Sequence, residues 1–317
     1  MLQYKREMFV SGKEVRMTPK KRLNILFADD GSQHAQAAVE LLKGIPLPQN
    51  SRISVIQAFT PGQIELIPEY ERSLERTRTQ LTSKHFNVET ELKLGSAAVM
   101  ILERAQQEKP DLIVLGAKGL RSTVGILLGG VAQQVVEYAC CPVLIVRAPY
   151  RGLHHILLVT DGSQHGQRAA RYLGKFPFPA HLDLRVMHVL APIKRPIMME
   201  PYYSGWQTIY AQFPTREEEA AIEEREAKTG KALLKRTSSL LEGQGLKPTS
   251  VLTRGDAATE IIEYANMHQL DLIVAGSRGL SEFKGWWMGS VSRKLVHYAR
   301  CSVLIVKGPG KEQPHGS

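Results

Sequence analysis

The chain has 317 residues, a length that at roughly 150 residues per domain predicts about two domains and rules out one small one. Apolar residues make up 43% and charged residues 23%, ordinary globular usage that excludes a collagen-like, low-complexity or largely disordered chain. The net charge of +10 would suit a polyanion only if it gathered on one folded surface, and half of it falls in the first 22 residues instead.

That leader, residues 1–21, runs up to Arg22 and carries Lys5, Arg6, Lys13, Arg16, Lys20 and Lys21 against Glu7 and Glu14. It is expected to be flexible, and Met17 is a candidate alternative start. It has no apolar stretch or small-residue cleavage site, so it does not read as a signal peptide. No apolar run reaches the ~18–20 residues of a membrane-spanning helix. Three cysteines, Cys140, Cys141 and Cys301, form no even framework, which fits a reducing compartment. The expectation is a cytoplasmic chain with no membrane span. No nucleic-acid partner is expected either, because the basic cluster lacks interleaved aromatics.

Past the leader the chain repeats itself. ILFADDGSQHAQAA at 25–38 returns as LLVTDGSQHGQRAA, with Asp30 matching Asp161 at an offset of 131. DLIVLGAKGL at 111–120 returns as DLIVAGSRGL at 271–280, and YACCPVLIV at 138–146 as YARCSVLIV at 298–306, now at an offset of 160. The second copy therefore holds 29 extra residues. The expected organisation is a first domain at 22–148, a Pro/Gly linker at 149–152, a second domain at 153–308 and a flexible tail at 309–317.

Within each copy, short β-branched runs alternate with helical patterns, the signature of βαβ units and a parallel sheet covered on both faces. In the second copy strands are predicted near 154–160, 182–190, 248–253, 271–276 and 302–307. The insertion, about 191–214, is rich in proline, methionine and tyrosine and reads as an irregular excursion that could meet a partner protein. It leads into a long charged helix capped by Thr215 and Glu218.

After the fourth strand of the second copy stand Gly276 and Gly279, then nine residues, then Gly289-Ser290 at a helix start. Glycines past a parallel strand let backbone N–H groups approach an anion, and the following helix presents unpaired N–H groups and a partial positive charge. Asp161 ends strand one on the same sheet edge, where open parallel sheets bind ligands. By itself, Asp-Gly-Ser is equally a turn and helix cap. His34 and His165 recur in helix one as surface or cap residues, and no zinc-like spacing is present. Cys141 and Cys301 suit buried positions, leaving Cys140 as a candidate redox thiol.

The two-block pattern resembles the universal stress protein family, with its strand-one DGS and G-2x-G-9x-G-(S/T) motif, across residues 22–308. The resemblance implies two doubly wound five-stranded α/β domains of the adenine nucleotide alpha hydrolase-like type, strand order 3-2-1-4-5, often paired through strand five. It implies ATP binding in stress resistance, with Mg2+, and regulation rather than catalysis. Carried over by position, Val159, Asp161 and Val189 would hold adenosine, and Gly276, Gly279, Gly289, Ser290, Val291 and Ser292 the phosphates. Arg278 and Arg293 are added as phosphate candidates.

The first copy departs from the motif: Asp30, Gly116, Gly119 and Gly129 match, but Gly130 replaces the serine and Ala58 the valine, with Ala28 completing the expected weaker site. It is expected to bind weakly or not at all and to serve as a structural partner, Val143–Val146 pairing with Val303–Val306. A homodimer and a regulatory protein partner are open. The alternatives are a nucleotide-independent dimerisation or interaction module and a weak ATPase, with cyclic AMP a competing ligand. Neither the dinucleotide fingerprint after strand one nor a P-loop string occurs.

Overall fold

The structure, a computed structural model, describes residues 22–84, 86–119, 128–179, 182–193, 215–279 and 288–308. The leader, the tail, residues 194–214 of the expected excursion and the stretches between the paired glycine motifs lie outside these. Strands alternate with helices throughout. The first half runs β1 (Asn24–Ala28), α1 (Gln33–Gly44), β2 (Arg52–Phe59), α2 (Ile67–Thr82), β3 (Asn87–Leu94), α3 (Ala97–Glu108), β4 (Leu112–Gly116), α4 (Gly130–Tyr138) and β5 (Val143–Val146). The second half runs β6 (His155–Val159), α5 (Gln164–Leu173), β7 (Asp183–Leu190), α6 (Arg216–Glu242), β8 (Thr249–Arg254), α7 (Ala257–Met267), β9 (Leu272–Gly276), α8 (Ser290–Tyr298) and β10 (Ser302–Val306).

All ten strands form one sheet in the order β3-β2-β1-β4-β5-β10-β9-β6-β7-β8, so each half has the expected order 3-2-1-4-5. Pairing is parallel within a half and antiparallel where β10 meets β5, with Val303 opposite Ile145, Leu304 opposite Leu144 and Ile305 opposite Val143. These six side chains are almost wholly buried. Burying a side chain of this size contributes about 1.5–3 kcal/mol, which makes the junction a strong joint. One core lies under α1, α2, α5 and α6, the other under α3, α4, α7 and α8, and both continue across the junction.

Polar ties fix the ends of the strands. Asp111 accepts from the N–H of Asn24 at 3.0 Å, and Asp271 accepts from His154 and His155 at 2.9 Å, so the aspartate before each fourth strand holds the start of strand one. Arg147 after β5 donates to the Val296 carbonyl at 2.7 Å, and Lys307 after β10 donates to the Glu137 carbonyl at 2.8 Å. Each half thus reaches into the last turn of the other's fourth helix. Part of the 29-residue excess is helical: α6 has 27 residues against 16 in α2. The Thr215–Glu218 capping box opens α6, with reciprocal bonds of 3.2 and 2.7 Å.

Candidate functional site

The end of β6 and the start of α8 converge at the carboxyl edge of the second half. Beyond Val159 the chain turns at Gly162, whose φ of +83° favours glycine. Gly162 N–H donates to Thr160 Oγ1 at 3.3 Å, Ser163 N–H donates to Asp161 Oδ1 at 3.0 Å, and Ser163 Oγ caps α5 by accepting from Gly166 at 3.1 Å. Turn, cap and oriented carboxylate are therefore one device. The other oxygen of Asp161 faces Gly279, where a Cβ would sit 2.7 Å from Oδ2.

The glycines divide by cause. A Cβ on Gly276 would lie 2.6 Å from the carbonyl carbon of His165, so this residue is glycine because α5 sits directly on the end of β9. Packing thus supplies a reason for this glycine beside the phosphate approach expected of it. Gly289 caps α8 without a side chain, and its N–H donates to the Ser277 carbonyl at 2.8 Å while Ser277 N–H donates to Val306 at 3.0 Å. Strand end and helix start are thereby pinned together. Ser290 is exposed at the first helical position and Val291 is half-buried. Ser292 is buried and donates its hydroxyl to the Gly276 carbonyl at 2.7 Å, so its side chain ties α8 to β9, which corrects the phosphate role expected of it.

Val159 and Val189 are half-buried apolar side chains packed at the margin of one core. Arg278 is exposed next to Gly279, whereas the Arg293 guanidinium reaches Glu137 of α4 at 3.4 Å across the junction. His165 is half-buried, its Nδ1 3.3 Å from Ser277 Oγ, and His34 Nδ1 accepts from Ala148 N–H at 2.9 Å. Both are inner braces, correcting the expected surface role, and burial lowers the proton affinity of each.

The first half repeats the scaffold. Ser32 N–H donates to Asp30 Oδ1 at 3.1 Å, a Cβ on Gly119 would meet Asp30 Oδ2 at 2.5 Å, and one on Gly116 would meet the His34 Cβ at 2.8 Å. Gly129 N–H donates to Ala117 at 2.8 Å, as Gly289 does to Ser277. A Cβ on Gly130 would meet nothing within 4 Å, so no steric reason excludes serine there. Ala28 and Ala58 are half-buried at the positions of Val159 and Val189.

One difference escaped the sequence reading, although the repeat alignment carries it: Asp29 stands where the second half has Thr160. It is 4% exposed and accepts from Gly31 N–H at 2.9 Å and Thr77 Oγ1 at 2.6 Å. Burial pushes its carboxyl above the ordinary range, and these hydrogen bonds oppose the shift. Among the described residues no three His, Cys, Asp or Glu side chains gather as a metal cluster, and no helix is long and apolar enough to cross a membrane.

Comparison with known proteins gives a consistent result. The model described as Universal stress protein family matches twice, at residues 21–147 and 152–307. A universal stress protein of Thermus aquaticus is 35% identical over 133 residues, covering 39% of this chain and 97% of its own. One from Mycolicibacterium smegmatis is 25% identical over 226 residues, 69% of each chain. The crystal structure of a universal stress protein from Archaeoglobus fulgidus superposes with a TM-score of 0.63 at 18% identity, covering 92% of this chain and 98% of its own.

Proposed function

The chain belongs to the universal stress protein family, and from that premise we propose that its second half binds ATP while its first half is a structural partner. The observation that carries the proposal is the intact constellation at one sheet edge: Asp161 held by its turn against Gly279, and exposed Ser290 opening a helix that no side chain caps. A helix start of this kind attracts phosphate through its N–H groups and dipole. Val159 and Val189 would meet the adenosine end, and Arg278 adds a cation beside the phosphates. Mg2+ would arrive with the nucleotide and be held chiefly by its phosphates, neutralising part of their charge.

In the first half Gly130 lacks the hydroxyl, and buried Asp29 adds an acid beside Asp30. Losing one hydrogen bond to a charged group costs roughly 1.5–3 kcal/mol, on the order of ten- to a hundredfold in affinity. Asp29 also replaces the Thr160 hydroxyl with a buried carboxyl at the end of strand one, where the adenosine end would lie. The output proposed is regulatory: the nucleotide alters contacts with a partner protein, in the cytoplasm, consistent with three unbridged thiols.

Thermal unfolding with Mg-ATP and with cyclic AMP tests this. ATP should raise the Tm of the parent and leave that of Gly279→Val unchanged. A response to cyclic AMP alone would replace the ligand, and no response to either would favour the nucleotide-independent interaction module. ATP turnover above a buffer blank that falls in Ser290→Ala would favour the weak ATPase.

A further inference from the structure

Among the described residues the ten-stranded sheet ends in two edges, β3 and β8, and they are built differently. β3 carries Glu89, Glu91 and Lys93, with Arg52 paired to Glu89 and Arg104 to Glu91. Charges of this kind keep an edge strand from pairing with another chain. β8 reads Thr249-Ser250-Val251-Leu252-Thr253-Arg254, with no proline and a single charge at its end. That charge is committed within the chain: the Arg254 guanidinium lies 2.6 Å from Glu226 and donates to the Ala191 carbonyl at 2.8 Å. Thr249 and Ser250 are exposed, and no strand among the described residues pairs with β8 on its outer side.

The ladder fixes which backbone groups of β8 are left for a partner. Gly255 N–H donates to the Leu190 carbonyl at 3.0 Å, and Leu190 is in register with Arg254. Successive residues of a strand turn their N–H and C=O to opposite sides, so those of Thr249, Val251 and Thr253 face β7, and those of Ser250, Leu252 and Arg254 face the open edge. An antiparallel partner must therefore meet β8 at these last three residues. A second β8 does so about a twofold axis at Leu252: Leu252 opposes its own counterpart, and Ser250 opposes Arg254 of the other copy. Opposed pairs that exchange two bonds each give about six hydrogen bonds. The strand is self-complementary, since this register sets Arg254 against a serine and not against a second arginine.

The chain already contains such a joint once. β5 and β10 pair antiparallel with Leu144 opposite Leu304, two residues that match in the repeat. We propose that β8 is the docking edge for a second copy of this chain, β8 pairing antiparallel with β8 about Leu252 as β5 pairs with β10 about Leu144 and Leu304. The pairing carries the sheet from one chain into the next, and its isologous geometry closes at a dimer. Pairing β8 with β3 of another copy would be heterologous and open-ended, and the charges on β3 oppose it. The twofold axis sets Leu252, packed at the margin of the core under α1, α2, α5 and α6, against its counterpart. It sets Val251, at the margin of the core under α3, α4, α7 and α8, against Thr253 of the other copy. Both layers thus meet across the new joint, as both cores do across the internal one. The assembly does not depend on which half binds nucleotide.

The test is sedimentation equilibrium of the full-length chain over a concentration series, with hydrogen exchange followed at the lowest and highest concentrations. A monomer–dimer equilibrium is expected, the amides of β8 gaining protection in the dimer and those of β3 staying unchanged. Ser250→Pro, at an exposed position whose N–H faces away from β7, should weaken dimerisation roughly tenfold or more and leave the monomer folded. The register makes a sharper claim. Ser250→Glu would face Arg254 of the other copy and should tighten the dimer, whereas Ser250→Lys should loosen it, each by about two- to tenfold. These two charge variants decide the matter even if Ser250→Pro fails to fold. A chain that stays monomeric at every concentration, a dimer on which Ser250→Glu and Ser250→Lys act alike, protection gained at β3, or species that grow beyond the dimer would overturn the proposal.

Discussion

The two halves of the sheet keep one scaffold and differ around one site. Gly116 and Gly276 both sit under the first helix of their half, Gly119 and Gly279 both leave room for a carboxylate, and Asp30 and Asp161 both hold a turn. The changes include Val159 to Ala28, Thr160 to Asp29, Val189 to Ala58, Arg278 to Lys118, Ser290 to Gly130 and Ser292 to Ala132. Residues set by backbone packing persist in both copies, while those that would touch a ligand have drifted in one. A glycine motif thus testifies first to the fold, and the hydroxyl at the helix start is the better indicator of a working site.

The sharpest way to break the comparison is Gly279→Val, which forces a side chain against Asp161 and should lower nucleotide affinity by at least roughly a hundredfold. Gly119→Val, its first-half counterpart, should leave affinity unchanged in the same calorimetric titration. Gly276→Val is unsuitable, because its Cβ would strike the His165 backbone and damage the fold. Next in size, Ser290→Gly should reduce affinity on the order of ten- to a hundredfold. Conversely, Asp29→Thr with Gly130→Ser should confer a second, weaker site measurable by equilibrium dialysis.

Two changes sharpen the structural side. Arg147→Met removes a charged donor from the Val296 carbonyl and should lower stability in urea by roughly 1.5–3 kcal/mol, with Lys307→Met costing less. Thr215→Ala should cost about 1 kcal/mol, confined to α6, seen as faster hydrogen exchange in its first turn. The smallest effect is on pH dependence. Folding raises the proton affinity of Asp29, so its favourable contribution is complete below the ordinary carboxyl range and is lost as pH rises through the raised folded value. Asp29→Asn should remove that loss, so the Tm difference between variant and parent should grow with pH above 3.8 and vanish below it.

Much of this was legible because duplication supplies its own alignment. The alternation of strands and helices, the duplication and the α6 capping box follow from periodicity, repetition and cap spacing, whereas the strand order and the pairing of Val143–Val146 with Val303–Val306 follow from the family resemblance. Other roles depend on residues distant in sequence. Ser292 reads as a phosphate donor until the Gly276 carbonyl is seen 2.7 Å away. Arg293 reads as a phosphate cation until Glu137 meets it across the junction, and His34 as a surface group until Ala148 donates to it. Asp111 and Asp271 open the most conspicuous repeated block, yet holding the start of strand one requires knowing which strands are neighbours. Asp29 beside Asp30 reads as two turn acids, and only the packing of Thr77 reveals one of them as buried.

The central claim, one working nucleotide site in a chain with two similar halves, is tested most directly by calorimetric titration of Mg-ATP into the nucleotide-stripped chain, its Gly279→Val variant and its Gly119→Val variant. The account predicts one site per chain, lost in Gly279→Val and retained in Gly119→Val. Two equivalent sites per chain, or a site that survives Gly279→Val and disappears in Gly119→Val, would contradict it.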